Sequence, residues 1–173
     1  AFRQAKEWVA SGRIGDIKLV RADLSSMCPY DPDDRLYANS LGGGSLLDLG
    51  VYPLTFACDF LGYKPKEIVT NAYIGKSNVD YDASLMLRYD NGSFADSQIG
   101  FDFMKENSAC IIGDKGRITF GNWFFCTTDI KLYDELGNLV AEPAITHDCN
   151  GYEYEVREAE RCLDENKKQS DIN

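Results

Sequence analysis

The chain lacks the sequence patterns that mark several large classes of protein. It has no run of the roughly 18 apolar residues that a membrane span requires, and no apolar segment typical of a signal peptide near its start. Positive charge is also scarce: 18 lysines and arginines stand against 28 aspartates and glutamates, which gives a net charge of −10. Because nucleic acids and membrane surfaces are polyanionic, neither is expected as a partner.

Residues that ligate metals are equally sparse. The chain has one histidine and no two cysteines at C-x-x-C spacing, so no metal site is predicted. The six cysteines are widely separated: Cys28, Cys58, Cys110, Cys126, Cys149 and Cys162. This spacing favours reduced thiols over a disulfide framework, and together with the missing signal segment it predicts a cytoplasmic protein.

The length and composition predict one domain over 1–173. With 173 residues, 44% of them hydrophobic, the chain can bury a core without covalent crosslinks. It begins without methionine, in a segment whose Phe2, Ala5 and Val9 have helical spacing and whose helix is expected to stop at Gly12. It ends in the polar segment ENKKQSDIN. We interpret the chain as a domain excised from a longer protein.

Alternating apolar residues predict β-strands over much of the chain. One side of the first predicted strand, DIKLVRADLS, carries Val20, Ala22 and Leu24. The segment YDASLMLRYDNGSFADSQIGFDF predicts a hairpin, in which the pair Asn91-Gly92 favours a type I′ turn. Two further strand pairs are expected around 114–116 and around Gly137.

The order of these elements predicts the fold class. Hairpin-linked strands from Glu67 to Glu142 follow a helix at 45–61, and an amphipathic helix at 152–165 comes after them. Hairpins imply antiparallel pairing, and grouped rather than alternating elements imply an α+β fold. We therefore predict a predominantly antiparallel, open β-sheet with both helices packed on one face.

The segment LGGGSLLDLGVYPLTFACDFLG contains the candidate site. Ser45 suits the N-cap of its helix, and Asp48 and Tyr52 lie four residues apart on one face of an otherwise apolar helix. Pro53 removes a backbone donor and clashes one turn back, which predicts a distorted backbone just before it. Distortion beside a carboxylate and a phenol is more typical of a functional site than of a core.

Spacing alone leaves a structural alternative open. A tyrosine with an aspartate nearby on a helix is more often a half-buried pair than a catalytic one. The glycines of this segment are also not a phosphate-binding loop, since no lysine follows them as in G-x-x-x-x-G-K and no G-x-G-x-x-G precedes a helix.

Three segments carry a family resemblance: AKEWVASGRIGDIKLVRADLS, DRLYANSLGGGSLLDLGVYPLTFACDFLG and CNGYEYEVREAERCL. Over nearly its whole length the chain resembles the C-terminal domain of the Gfo/Idh/MocA oxidoreductases, which has a glyceraldehyde-3-phosphate-dehydrogenase-like fold. Within them it is most similar to the branch of dimeric dihydrodiol dehydrogenase and an NADP-dependent xylose dehydrogenase. The string G-G-G-x-L-x-D-x-G-x-Y-P is the most specific part. The resemblance implies a preceding Rossmann domain with a G-x-G-x-x-G fingerprint and a Glu-Lys-Pro segment, neither of which this sequence contains.

The resemblance also implies roles for the central residues. Tyr52 matches the family's motif tyrosine, the proposed proton donor or acceptor for the substrate oxygen. Asp48 matches the motif aspartate, which orients the substrate or the proton-transfer group. Gly43 and Gly44 let the helix approach the nicotinamide end of the cofactor.

Three more residues are candidates on the same ground. Trp123 and Phe125 are the nearest counterparts of the aromatic residues that line the substrate pocket. Arg35 meets either the substrate or a cofactor phosphate, with a surface ion pair as an equal alternative. His147 lies in a polar loop, and a role for it stays open.

The implied activity is NAD(P)-dependent oxidation or reduction of a CH–OH group of a sugar, polyol or dihydrodiol. NADP or NAD is bound mainly by the Rossmann domain, whose lysine favours the phenolate, because an ordinary phenol is a poor base at neutral pH. The present chain is therefore expected to be inactive alone. A homodimer is expected through the open sheet face, where Met86 and Arg88 lie.

The alternative is a non-catalytic regulator that senses a sugar, since the superfamily also includes a member that keeps the fold without the activity. Retention of both Asp48 and Tyr52 favours the enzyme.

Overall fold

The computed structural model describes residues 1–149 and 151–170. The chain forms two compact units, Ala1–Pro143 and Ala144–Asn173. The helices of the first unit are α1 (Phe2–Ala10), α2 (Ser45–Asp48) and α3 (Val51–Leu61), with a 3₁₀ turn at Asn39–Leu41. Its strands are β1 (Ile17–Ala22), β2 (Leu24–Ser25), β3 (Glu67–Ile74), β4 (Asp80–Arg88), β5 (Phe94–Gly100), β6 (Ala109–Gly113), β7 (Gly116–Phe120), β8 (Ile130–Asp134) and β9 (Leu139–Ala141). The second unit contains α4 (Glu153–Asp164).

Within the described residues, nine strands form one open sheet in the order β3-β4-β5-β1-β6-β7-β8-β9, with β2 beside β5. Strands β1 and β2 run parallel to β5, and all the other neighbouring pairs are antiparallel. The first strand of the chain thus lies in the middle of the sheet, between the hairpin of β4 and β5 and the later hairpins. The prediction of a predominantly antiparallel, open sheet in an α+β fold is confirmed.

One face of the sheet carries the apolar core and the helices of the first unit. The predicted inward residues of the first strands are buried: Val20, Ala22 and Leu24. Leu49 and Leu54 pack against a cluster on β4 and β5 that consists of Ala83, Leu85 and Ile99. The ring of Phe56 on α3 lies 5.1 Å from that of Phe120 on β7 and 5.9 Å from that of Phe2 on α1. Aromatic contacts therefore fix α3 to the sheet and α1 to α3.

The turn between β4 and β5 differs from the prediction. A type I′ turn needs positive φ at both central residues, but only Gly92 has it, at 83°, and Asn91 does not. The Gly92 N–H donates to the Tyr89 carbonyl at 3.0 Å, and the Asn91 side chain accepts from the Ser93 N–H. The connection is a longer turn in which a single left-handed glycine restores the strand direction.

The helix predicted at 45–61 is interrupted just before Pro53, as the proline predicts. The break between α2 and α3 falls at Leu49–Gly50, so Pro53 lies in the first turn of α3, where its missing N–H needs no intrahelical partner. The Gly50 N–H donates to the carbonyl of Ser45, five residues back, at 3.1 Å. A Cβ on Gly50 would lie 2.5 Å from the Leu46 carbonyl oxygen, so the bend requires glycine.

The N-terminus of α2 is capped from the sheet. Gly44 occupies the N-cap position that the sequence assigned to Ser45, and that assignment is wrong. The Ser45 hydroxyl instead donates to Oδ2 of Asp80 at 2.7 Å, and the backbone N–H of Leu46 donates to the same oxygen at 2.6 Å. Asp80, the first residue of β4, therefore satisfies the helix end with a carboxylate, which the helix dipole also favours.

The apolar faces of these helices are not fully buried, although the helix was predicted to pack on the sheet. Leu47 is 67% exposed, and Leu46 and Val51 also lie at the surface. The physical reason is the break, since α2 is a single turn of which only Ser45 is buried. Three apolar side chains are thus left at the surface beside Asp48.

The second unit consists of a loop and α4, which begins and ends within one residue of the predicted helix at 152–165. Along its surface the Arg161 guanidinium contacts Glu158 and Glu165, both at 2.7 Å. The prediction that this helix packs on the sheet stays a prediction. Across both units no disulfide joins the six cysteines, all of which the structure describes.

The capping contact gives a first test. Asp80→Ala removes the acceptor of two donors at the start of α2 and should lower the free energy of unfolding by about 1 to 2 kcal/mol, measured by urea denaturation. Asp90→Ala is the matched control, because Asp90 is an exposed aspartate whose ion pair is with the exposed Lys66. Equal, small effects of both substitutions would contradict the capping role.

Candidate active site

A cleft of about 310 Å³ opens in the first unit, beside the break between α2 and α3. It brings together all the predicted site residues except the two glycines: Arg35, Asp48, Tyr52, Trp123 and Phe125. Its other lining residues are Leu24, Ser25, Ser26, Cys28 and Leu49. Segments that are far apart in the sequence therefore converge where Asp48 and Tyr52 lie.

Tyr52 presents its phenol to this cleft from the first turn of α3. It is 43% exposed, and its ring lies 4.8 Å from the ring of Phe125 at an interplanar angle of 40°. The ring of Trp123 meets Phe125 edge-on at 6.0 Å. One aromatic neighbour thus limits the orientation of the phenol while solvent still reaches it, as a proton-transfer group requires.

Asp48 is joined to Arg35 across the cleft wall. Nη2 of Arg35 lies 2.8 Å from Oδ1 of Asp48, and this hydrogen bond, with the charge of Asp48, raises the pKa of Arg35. The Arg35 side chain is 69% exposed and that of Asp48 is 24% exposed. The ion pair that was the alternative role for Arg35 does form, and its partner is Asp48, the candidate catalytic aspartate. The pair offers both a donor and an acceptor to hydroxyl groups in the cleft.

The glycines that precede α2 do not line the cleft. A Cβ on Gly43 would lie 2.7 Å from the carbonyl oxygen of Leu36 and 3.0 Å from the amide nitrogen of Ala38. A Cβ on Gly44 would collide with Oδ1 of Asp80. Close packing within the chain therefore accounts for both glycines, and their role in cofactor approach stays a prediction.

The aromatic side of the cleft comes from the turn after β7, which we call the aromatic turn (Asn122–Phe125). Trp123 has a positive φ of 57°, and Phe124 is buried, whereas Trp123 and Phe125 are 41% and 46% exposed. The buried ring of Phe124 thus anchors the turn in the core, while the rings of Trp123 and Phe125 project from it.

Sequence reasoning missed the buried polar residues behind this turn. Asn107 is fully buried; its Oδ1 accepts from the Ser25 N–H at 2.8 Å, and its Nδ2 donates to the Ser25 carbonyl at 2.9 Å. Its backbone N–H donates to Oδ1 of Asn122 at 2.9 Å. One residue therefore links β2 to the aromatic turn. No local pattern marks it, because an isolated asparagine in a loop is most often a turn residue.

A second, larger cleft of about 510 Å³ lies on the opposite face of the sheet and contains none of the predicted site residues. Three of its charged groups form one ion-paired cluster. Nζ of Lys105 lies 2.7 Å from Oδ2 of the buried Asp23, and Nε of Arg21 lies 3.2 Å from the same oxygen. Burial raises the pKa of the neighbouring Asp96. This cluster belongs to the open face rather than to the candidate site.

Over 1–149 and 151–170, no three or more histidine, cysteine, aspartate or glutamate side chains are grouped so as to hold a metal ion. No helix in this part of the chain has both the length and the apolar character to span a membrane. In the second unit, the His147 ring lies 6.0 Å from the ring of Tyr154, and a role for it stays open.

Residues 2–119 match the model of the GFO/IDH/MocA C-terminal domain. The chain belongs to this family. The match covers the helices α1 to α3 and the strands as far as β7. It includes the cleft residues from Leu24 to Tyr52. The resemblance inferred from the sequence is therefore confirmed.

Curated relatives of this GFO/IDH/MocA domain are dehydrogenases. It is 26% identical over 170 residues to trans-1,2-dihydrobenzene-1,2-diol dehydrogenase of Homo sapiens, which covers 95% of the chain and 50% of the relative. It is 28% identical over 160 residues to the protein of that name from Danio rerio, with coverage of 90% and 47%. The chain spans about half the length of the curated relatives it matches.

Solved structures share the fold of this domain. Aldose-aldose oxidoreductase from Caulobacter crescentus, complexed with glycerol, matches with a TM-score of 0.80 at 20% identity, over 96% of the chain and 51% of the other. KijD10, a 3-ketoreductase from Actinomadura kijaniata in complex with NADP and TDP-benzene, matches with a TM-score of 0.78 at 24% identity, over 96% and 52%. An inositol dehydrogenase homolog from Azotobacter vinelandii, complexed with NAD⁺, matches with a TM-score of 0.71 at 16% identity, over 84% and 41%.

The exposure of Arg35 in its pair with Asp48 gives a second test. Because the guanidinium is largely in solvent, Arg35→Gln should leave the urea unfolding midpoint nearly unchanged, as an ion pair with an exposed partner contributes little to stability. Lys66→Gln, which breaks the exposed contact with Asp90, is the control. A clear loss of stability in Arg35→Gln alone would show that Arg35 holds the loop before α2 rather than serving the cleft.

Proposed function

We propose that this domain is the substrate-binding half of an NAD(P)-dependent oxidoreductase that acts on a CH–OH group of a sugar, polyol or dihydrodiol. The observation that carries the proposal is the meeting of Tyr52, the Asp48–Arg35 pair and two exposed aromatic rings in one cleft. The names of the curated relatives support a hydroxylated carbon ring as the substrate class. Bound to its cofactor, such a protein interconverts a carbinol and a carbonyl group.

In this reaction a proton must leave or join the substrate oxygen as the hydride moves. Tyr52 is the group that carries this proton, because its phenol faces the cleft and is held by Phe125. Asp48 and Arg35 hold the hydroxyl groups beside the reacting carbon, with the carboxylate as acceptor and the guanidinium as donor. Trp123 and Phe125 cover the apolar face of the substrate.

The residues around the cleft fit the nicotinamide end of the cofactor. Leu46, Leu47 and Val51 leave an uncovered apolar surface beside Asp48 and Tyr52, and a flat ring could pack on it. The chain has no glycine-rich fingerprint for the phosphates, which would be held by a Rossmann domain. When bound, the nicotinamide supplies or accepts the hydride. On this proposal the present chain is inactive alone.

Replacement of the phenol tests the proposal. In the protein joined to its proposed dinucleotide-binding domain, Tyr52→Phe should lower kcat roughly 10²-fold or more, the usual range for general acid–base catalysis, with little change in cofactor affinity. Asp48→Asn should act in the same direction. Steady-state oxidation of cyclic diols and aldoses, followed by the absorbance of reduced nicotinamide, measures both.

Tyr63→Phe is the matched control, since Tyr63 lies just after α3 and its hydroxyl donates to Asp59 at 2.7 Å, outside the cleft. It should keep the wild-type kcat. If Tyr52→Phe also kept kcat within about twofold while the chemical step limits the rate, the tyrosine would be structural. Absence of any turnover by the wild type would favour the regulator.

The open face of the sheet fits a second copy of the chain. Ser84 and Arg88 are exposed on it, Met86 is half-buried, and Val69 on the neighbouring strand is half-exposed. The mixture of apolar and polar side chains suits an isologous two-fold contact, in which the same patch appears on both partners. We therefore include a homodimer in the proposal.

A charge placed on that patch tests the dimer. Met86→Glu should shift the wild-type protein from dimer to monomer in light scattering, because two carboxylates would be brought to one apolar contact. Leu136→Glu, in the turn between β8 and β9, changes a leucine that is 83% exposed outside this patch and should leave the dimer intact. A wild-type monomer, or a dimer insensitive to Met86→Glu, would exclude this interface.

A further inference from the structure

Trp123 adopts a backbone conformation that tryptophan rarely takes. Its φ of 57° lies in the left-handed region, where the side chain of an L-residue crowds its own backbone. A residue of this kind persists only where its surroundings hold it, and such residues concentrate at ligand-binding sites. The Trp123 side chain is nevertheless 41% exposed, so burial of its ring is not what holds the conformation.

Hydrogen bonds hold the backbone on both sides of Trp123. Its carbonyl accepts from the N–H groups of Cys126 and Thr127, both at 2.9 Å, and the side chain of Asn122 holds the side that leads into Trp123. Oδ1 of Asn122 accepts from the N–H of Trp123 at 3.1 Å and from the N–H of Asn107 at 2.9 Å. The first bond fixes the peptide that leads into the strained residue, and the second ties it to the fully buried Asn107. Both contacts use only the oxygen of the amide, so the NH₂ group of Asn122 is not needed for either.

The next residue completes the anchor. The Phe124 N–H donates to the Asn107 carbonyl at 3.0 Å, and its buried ring lies 5.3 Å from that of Phe56 on α3. Phe124 points into the core, whereas Trp123 and Phe125 on either side of it are 41% and 46% exposed. Phe125 then reaches Tyr52, so the conformation at Trp123 affects the side chain that contacts the candidate catalytic phenol.

We propose that Asn122 is a positioning residue for the substrate: it holds Trp123 in the left-handed conformation so that Trp123 and Phe125 form a fixed aromatic wall beside Tyr52. The wall is ready before a ligand binds, and binding need not order two large side chains. A flat or ring-shaped substrate gains most from such a wall, because its apolar face can stack on it. The geometry stands by itself, whereas the identity of the ligand rests on the proposed function.

Fluorine NMR of protein labelled with fluorotryptophan tests the positioning directly. The chain has two tryptophans, and the second, Trp8, is buried on α1 and serves as an internal control. Asn122→Ala should move or broaden the Trp123 resonance and leave that of Trp8 unchanged, whereas Asn122→Asp keeps the oxygen acceptor and should restore the wild-type spectrum. Asn91→Ala is the matched control, because Asn91 Oδ1 accepts from a backbone N–H in an exposed turn outside the cleft. It should move neither resonance.

A comparison of two substitutions at position 123 tests the strain. Glycine adopts positive φ as readily as negative φ, whereas alanine does not. Trp123→Gly should therefore melt at a higher temperature than Trp123→Ala. The opposite order would show that the backbone at this position is not strained and would overturn the proposal.

Kinetics of the protein joined to its cofactor-binding domain, with trans-cyclohexanediol as the probe, tests the consequence for the substrate. Asn122→Ala should raise KM about threefold or more with kcat within twofold, since it disturbs a binding wall and not the proton-transfer group. Asn122→Asp should restore KM. An unchanged Trp123 resonance in Asn122→Ala, or a shifted resonance with unchanged KM, overturns the proposal. If no turnover is found for the wild type, the proposed function fails, and the NMR and melting experiments still decide the positioning.

Discussion

The carboxylate of Asp80 fixes the relation between the sheet and the helical segment on which the site depends. One of its oxygens accepts from the Ser45 hydroxyl and from the Leu46 N–H, so the first residue of β4 holds the first turn of α2. The glycine before that turn leaves room for the carboxylate. Because α2 carries Asp48 and leads directly to Tyr52, this contact helps to position both candidate catalytic groups.

The cleft itself is assembled from parts that are held in different ways. The phenol side rests on a helix whose interior faces the sheet, and the bend at Gly50 and Pro53 sets its direction. The aromatic side rests on a turn that is tied down by hydrogen bonds to Asn107 and by the buried ring of Phe124. A rigid support on both sides suits a site that must place a hydroxyl group against a proton carrier.

The two faces of the sheet differ in the charged side chains that they carry. On the face that carries the helices, apolar residues alternate inward and exclude water. On the open face, Asp23 is buried but contacts two cations, Arg21 and Lys105, which compensates the loss of its hydration. The open face can therefore carry buried charge without a hydrophobic cover, and it keeps a mixed polar and apolar character.

Much of this protein could be predicted from its sequence because the decisive signals are local. Alternation identified the strands, Pro53 predicted the break in the helix, and the string from Gly42 to Pro53 identified the family and the pair Asp48 and Tyr52. The errors were also local in origin. The N-cap at Ser45 and the turn at Asn91 follow average preferences, which a distant carboxylate and one extra turn residue overrode.

What the tertiary structure alone decided concerns partners that are distant in the chain. Asp80 meets Ser45 across 35 residues, and Asn107 meets Ser25 across 82. The placement of β1 in the middle of the sheet, parallel to β5, brings β2 and the aromatic turn to the same cleft. A periodic pattern specifies which side of a strand or helix is apolar, but it carries no information on which buried polar groups will find each other. Those pairings form only when the chain folds into its tertiary structure. A buried donor or acceptor must then form a hydrogen bond with a group that the fold brings within reach.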